Sequence, residues 1–201
     1  ESLVSLNTLL ELISQKKIEL CIPRQILDEF YRNKRTTSRE FTKQFGKLND
    51  LSIGVPKFLK SYKKVKILEE NLKKMKKINR EILEEYNNRV SNPKSRLNRQ
   101  IKSIFSQAKK MEENDATLER AHYRTLRGNP PRKNNSTFGD AIIWETILKD
   151  LIDKDLTIIS GDGDFSSEID DEKIHEFLEY EWKEKTQKNL KFFVTLGRFI
   201  N

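Results

Sequence analysis

Hydrophobic positions along the chain follow two kinds of pattern. The first is helical. Leu3, Leu6, Leu9, Leu10 and Ile13 recur at three- and four-residue spacing, which predicts a helix over 3–17 with Lys16 and Lys17 suiting its C-terminal end. Ile26, Leu27, Phe30 and Tyr31 mark the buried face of a second helix, with Pro23 placed to be its first residue. The polar run Lys34–Ser38 predicts a break before a third helix over Phe41–Leu51, which Ser52-Ile53-Gly54-Val55-Pro56 interrupts. From Phe58 to Val90 the helical spacing is sustained, through Val65, Leu72, Ile78 and Ile82. Ser91-Asn92-Pro93 stops it, and Leu97, Ile101, Ile104, Ala108 and Met111 resume it. Two such stripes around a tight break predict a helical hairpin, each arm burying the other's apolar face.

The second pattern is the short apolar run. Ile18–Ile22, Leu156–Ser160 and Leu190–Leu196 read as strands. Helices are predicted over Ala116–Leu126, Gly139–Leu151 and Lys173–Thr186. Arg127–Ser136, with Gly128, Pro130 and Pro131, reads as a loop. The order is αβα, a helical insert between Lys34 and Leu126, then αβαβ. That alternation predicts an α/β domain with a mostly parallel sheet.

Charge sharpens the division. Net charge is +8, but the excess is local: Pro56–Lys110 holds 17 Lys and Arg against 5 Glu and no Asp. The rest of the chain is slightly acidic. A basic insert beside an acidic core suits an element that binds polyanions and a core that binds cations. On the insert, Lys73, Lys74, Lys76 and Lys77 are the candidate nucleic-acid contacts, joined by Arg127, Arg132 and Lys133 in the loop. No apolar run approaches the roughly 18 residues of a membrane span, so a membrane partner is not expected and the cytoplasm is the expected location. One cysteine, Cys21, excludes an internal disulfide, and with two histidines only carboxylates remain as metal ligands. Carboxylates favour hard ions, Mg²⁺ or Mn²⁺.

The acids stand at telling places. Asp140 opens a helix. Asp162 and Asp164 follow a strand in Ser160-Gly161-Asp162-Gly163-Asp164-Phe165. Asp28 and Glu29 sit near a buried helical face shortly after another strand. In open parallel sheets, ligands bind beyond the carboxyl ends of the strands. Carboxylates gathered there repel one another unless a cation offsets them. One or two divalent ions can activate water for phosphodiester hydrolysis with no Ser, Cys or His nucleophile.

These residues resemble the PIN-domain (PilT N-terminus-like) nuclease family. Ile22-Pro23-Arg24-Gln25-Ile26-Leu27-Asp28-Glu29-Phe30 is similar to that family's strand, proline and helix with a metal-binding Glu. Gly139-Asp140-Ala141-Ile142 is similar to its helix-opening Asp, and Ser160–Phe165 to its Thr/Ser-x-Asp-x-Asp-Phe turn. The resemblance implies a three-layer α/β/α fold with a central, mostly parallel sheet and a helical-hairpin insertion. It implies Glu29, Asp140 and Asp162 as metal ligands, Asp164 as a fourth or supporting acid, and Ser160 as a hydrogen-bonding group. The activity it implies is metal-dependent endonucleolytic cleavage, of RNA ahead of DNA, in a toxin-like or defence effector or an RNA-processing enzyme. A second copy or a regulatory protein is a further candidate partner. The family's first strand carries an Asp in a pattern like Asp-Thr-Asn and is expected ahead of Leu3, where nothing in this chain matches it. The alternative is a PIN-like module that binds nucleic acid or protein and cuts nothing.

Overall fold

The computed structural model describes residues 3–131 and 138–200. Helix α1 (Leu3–Ser14) leads to strand β1 (Cys21–Pro23), then α2 (Arg24–Asp50) and a short 3-10 turn at Lys57–Leu59. Next come α3 (Lys63–Ser91), α4 (Arg96–Gln107), β2 (Lys109–Met111) and α5 (Asp115–Arg127). The chain closes with α6 (Gly139–Asp150), β3 (Leu156–Ile159), α7 (Glu176–Thr186), β4 (Leu190–Phe193) and α8 (Leu196–Ile200). The class is α/β, and among the described residues no helix is long and apolar enough to cross a membrane.

All pairing between these strands is parallel. β1 pairs with β2, Cys21 opposite Lys109, and β3 pairs with β4, Leu156 opposite Leu190. Among the described residues these form two separate two-stranded sheets, where one central sheet was expected. β2 falls where Ala108 and Met111 were read as a helical stripe. The helix ends at Gln107, the Lys109 N–H donates to the Leu20 carbonyl at 2.8 Å, and Met111 is 1% exposed.

The chain divides into two compact units: Glu1–Phe30 with Gln100–Asn201, and Tyr31–Arg99. These bounds differ from the expected insert of 34–126. Most of α4, together with β2 and α5, groups with the larger unit. There Ile104 packs with Leu9 and Leu196, and Phe105 meets Phe30 edge-on at 5.1 Å. α4 therefore does not serve mainly to cover α3.

Inside the smaller unit, α3 pairs with the second half of α2. Phe41 meets Tyr86 at 4.3 Å between ring centroids, and Asn79 Nδ2 donates to the Phe45 carbonyl at 3.1 Å. The expected break at Lys34–Ser38 is absent. No Gly or Pro interrupts Arg24–Phe45, and polar side chains alone do not stop a helix. Pro23 ends β1 rather than opening α2. Part of the α3 stripe is exposed as well: Leu68, Met75, Ile78 and Ile82 face solvent.

The core of the larger unit gathers Met111, Ile143, Trp144, Ile147, Leu178 and Trp182. Against it lies a buried ionic network. The Arg124 side chain is 4% exposed. Its Nε donates to Glu145 Oε1 at 2.8 Å, and its Nη2 to both Glu181 oxygens at 2.7 Å. Its Nη1 donates to the Pro130 carbonyl at 2.7 Å, and Trp144 Nε1 donates to Glu181 Oε2 at 2.7 Å. One guanidinium thus ties α5, α6, α7 and the start of the following loop. Burial alone would push the Glu181 carboxyl up. The bonds from Trp144 and Arg124 outweigh it and hold the group below the ordinary carboxylate value.

Removing one partner of a buried charge set strands the others. Arg124→Ala is expected to destabilise the fold by about 3–5 kcal/mol. Arg120→Ala, whose Nε reaches Glu145 at 3.2 Å from a side chain 47% exposed, should cost under about 1 kcal/mol. Urea titration of both variants measures the difference. Because folding depresses the Glu181 carboxyl, its contribution is complete above the ordinary Glu value of 4.5. It is lost as pH falls through the folded value. The urea midpoint should drop over that acid range, and Glu181→Gln should flatten the drop.

Candidate metal centre

Each candidate acid is brought into place by an element whose local sequence dictates it. Pro23 supplies no amide hydrogen to prolong β1, and α2 starts at Arg24. Glu29 then falls on the second turn, on the helical face of Gln25. Gln25 Nε2 donates to Glu29 Oε1 at 2.6 Å across that single turn. Asp140 lies in the first turn of α6, where the helix dipole tolerates negative charge. Asp162 follows β3 in a turn that holds itself. The Asp162 N–H donates to Ser160 Oγ at 3.1 Å, and the Asp164 N–H to Asp162 Oδ1 at 3.2 Å. Phe165, 5% exposed, anchors the turn in the core.

Glu29, Asp140, Asp162 and Ser160 line one cleft of about 680 Å³. It runs between β1 and β3, and Ile143 and Ile147 of α6 contribute apolar wall. Glu19, just before β1, pairs with Lys154, just before β3. The starts of both strands therefore share one end of the cleft, and the acids beyond their carboxyl ends share the other. Cys21 also lines it, and burial pushes its thiol up, which keeps it neutral.

Not every candidate is gathered. Asp164 lies outside the lining of the cleft. Among the described residues no three Asp, Glu, His or Cys side chains stand close enough together to hold an ion. Lys73, Lys74 and Lys77 are exposed on α3, Lys77 within 3.9 Å of Glu81, while Lys76 is half-buried. Arg127 is exposed at the end of α5, and Arg132 and Lys133 lie outside the described residues.

The sequence reading gave no role to Gln25 or Gly139. The four-residue step from Gln25 to Glu29 was visible. Nothing in the sequence showed that Gly139 packs against the Glu29 carboxylate, where an added Cβ would come within 3.0 Å of both Glu29 Oε1 and Gln25 Nε2.

The family model for the PIN domain matches residues 3–165. The chain belongs to the PIN-domain family. PIN domains are generally nucleases that act on nucleic acid and usually use divalent metal ions. No curated protein and no solved structure matches the chain. The matched span runs through α1, β1, α6 and the Asp162 turn, so all the acids of the PIN cleft fall inside it.

The Ser160 hydroxyl steadies the Asp162 turn of this PIN domain. Ser160→Ala should cost about 0.5–1.5 kcal/mol of stability, the net worth of one hydrogen bond. Amide hydrogen exchange at Asp162 should quicken while exchange in α6 stays as it was.

Proposed function

We propose that the protein is a divalent-metal-dependent endonuclease that hydrolyses phosphodiester bonds in RNA ahead of DNA. Glu29, Asp140 and Asp162 are its metal-binding acids, and Mg²⁺ or Mn²⁺ is the ion. The supporting observation is that three carboxylates from distant parts of a PIN-domain chain line one cleft. The donor set is all oxygen, which fits a hard cation. Mg²⁺ keeps several waters and takes only one or two protein carboxylates directly, so a closed three-carboxylate cage is not required. When bound, the ion lowers the pKa of water and offsets charge on the phosphate.

The chain's own residues do the rest. Glu29 reaches the cleft from α2, Asp140 from the first turn of α6, and Asp162 from the turn after β3. Asp164 supports Asp162 through its backbone N–H. The exposed lysines of α3 and Arg127 hold the substrate backbone, and the proposed setting is a toxin-like or defence effector.

One observation favours a second reading, a non-catalytic module for nucleic acid or protein: no three acids among the described residues stand within reach of a single ion. The experiment is a cleavage assay on mixed RNA and DNA with Mg²⁺, Mn²⁺ or EDTA. Cleavage with metal, its loss in EDTA and its loss in a folded Asp140→Asn variant support the enzyme. Nucleic-acid binding with no metal-dependent cleavage decides for the module.

Salt dependence tests the substrate surface. Replacing Lys73, Lys74, Lys76 and Lys77 with Gln should flatten the log–log salt slope by about 0.7 per lost single-strand phosphate contact. An unchanged slope removes those lysines from the interface and favours a protein-docking role for α3.

A further inference from the structure

Glycine at position 139 is not explained by the backbone. Among the described residues the one glycine with a left-handed φ is Gly128, which caps α5 at 75°. Gly139 is the buried first residue of α6, where alanine is the better helix former, by at most about 1 kcal/mol. What the position does require is space. A Cβ there would intrude on two side-chain ends at once, Glu29 Oε1 and Gln25 Nε2, which already hydrogen-bond to each other. No backbone atom is among the three nearest contacts.

We propose that Gly139 and Gln25 are positioning residues, which together set where the Glu29 carboxylate stands against the first turn of α6. Gln25 holds one oxygen from within α2, and Gly139 leaves the room that brings this carboxylate beside Asp140. The contact itself is independent of any ion. Its consequence for metal binding rests on the reading of the cleft given above.

Both atoms that meet the new Cβ are far ends of flexible side chains, so Gly139→Ala should leave the fold intact and move the carboxylate. Groups that orient a ligand typically change metal affinity by 10- to 100-fold when altered. Mn²⁺ titration should therefore show Gly139→Ala binding at least about tenfold more weakly. Gln25→Ala should lower affinity in the same direction, and Gln25→Glu should not rescue it, since a second carboxylate repels the first.

The deciding measurement is a double-mutant cycle with two readouts. In a Glu29→Ala background the added methyl no longer meets a carboxylate, and only the flexible end of Gln25, released from its partner, has to swing aside. There Gly139→Ala should raise Tm by roughly 2–4 °C, the helix-propensity gain for a chain of this size. In the wild-type background the rise should be absent or reversed. Mn²⁺ affinity should respond to Gly139→Ala only when Glu29 is present. Equal Tm shifts in the two backgrounds would overturn the clamp, whether or not metal binds. A non-additive Tm cycle in a chain that binds no Mn²⁺ would uphold the clamp and sink the metal reading instead.

Discussion

The buried guanidinium of Arg124 is the constraint on which the arrangement of the larger unit depends. A cation with 4% of its side chain exposed is tolerable only if its donors are answered. Here Glu145, Glu181 and the Pro130 carbonyl answer them. The same requirement fixes geometry. Glu145 belongs to α6, Glu181 to α7, and Pro130 to the segment that leads toward α6. Moving α6 along its axis would break these bonds together. The first turn of that helix carries Gly139 and Asp140, so the network that orders the core also sets the height of one wall of the cleft.

α6 is therefore asked to do two things on adjoining faces, with Ile143 and Ile147 shared between the cleft wall and the core. Asp140, Ile143 and Ile147 line the cleft at helical spacing. Trp144, Glu145 and Leu148 turn to the core and the network. A helix used on both faces is buried nearly all round, and its sequence shows little amphipathic contrast. The buried polar groups on the second face are stable only as a satisfied set. This separates the folding network from the cleft wall within one element. Neutralising Glu145 disturbs folding, while changing Asp140 touches the cleft.

Much of this was legible from residue order. The strand-then-helix passage at Pro23, the helix opened by Asp140 and the turn after β3 are local, and each places its acid by one or two bonds. The family resemblance rests on the same three motifs, which is why it survives a long insertion between them. What could not be read was set by contacts distant in sequence. The stripe resuming after Pro93 looked like the second arm of a hairpin, but Ile104 and Phe105 find their partners in α1, α8 and Phe30. Met111 fitted a helical period and became a strand residue because β1 offered a free edge and the core a vacant apolar position. Arg124 was one of 39 basic residues, with nothing local to mark it as buried.

Gly139 marks the boundary between these two kinds of information. A glycine at a helix start is ordinary, and local rules assign it to the turn. Its backbone here lies outside the left-handed region, so the local explanation fails. The remaining explanation is the side chain of Glu29, 110 positions away in the sequence. Exclusion of a single methyl is a sensitive way to set distance, because repulsion rises steeply inside van der Waals contact whereas attraction falls off slowly. A glycine beside a flexible carboxylate thus defines where the carboxylate can stand more narrowly than a hydrogen bond alone. The Gln25 bond supplies direction and the missing Cβ supplies approach. Neither residue needs to touch substrate to decide how the acids of the cleft face one another.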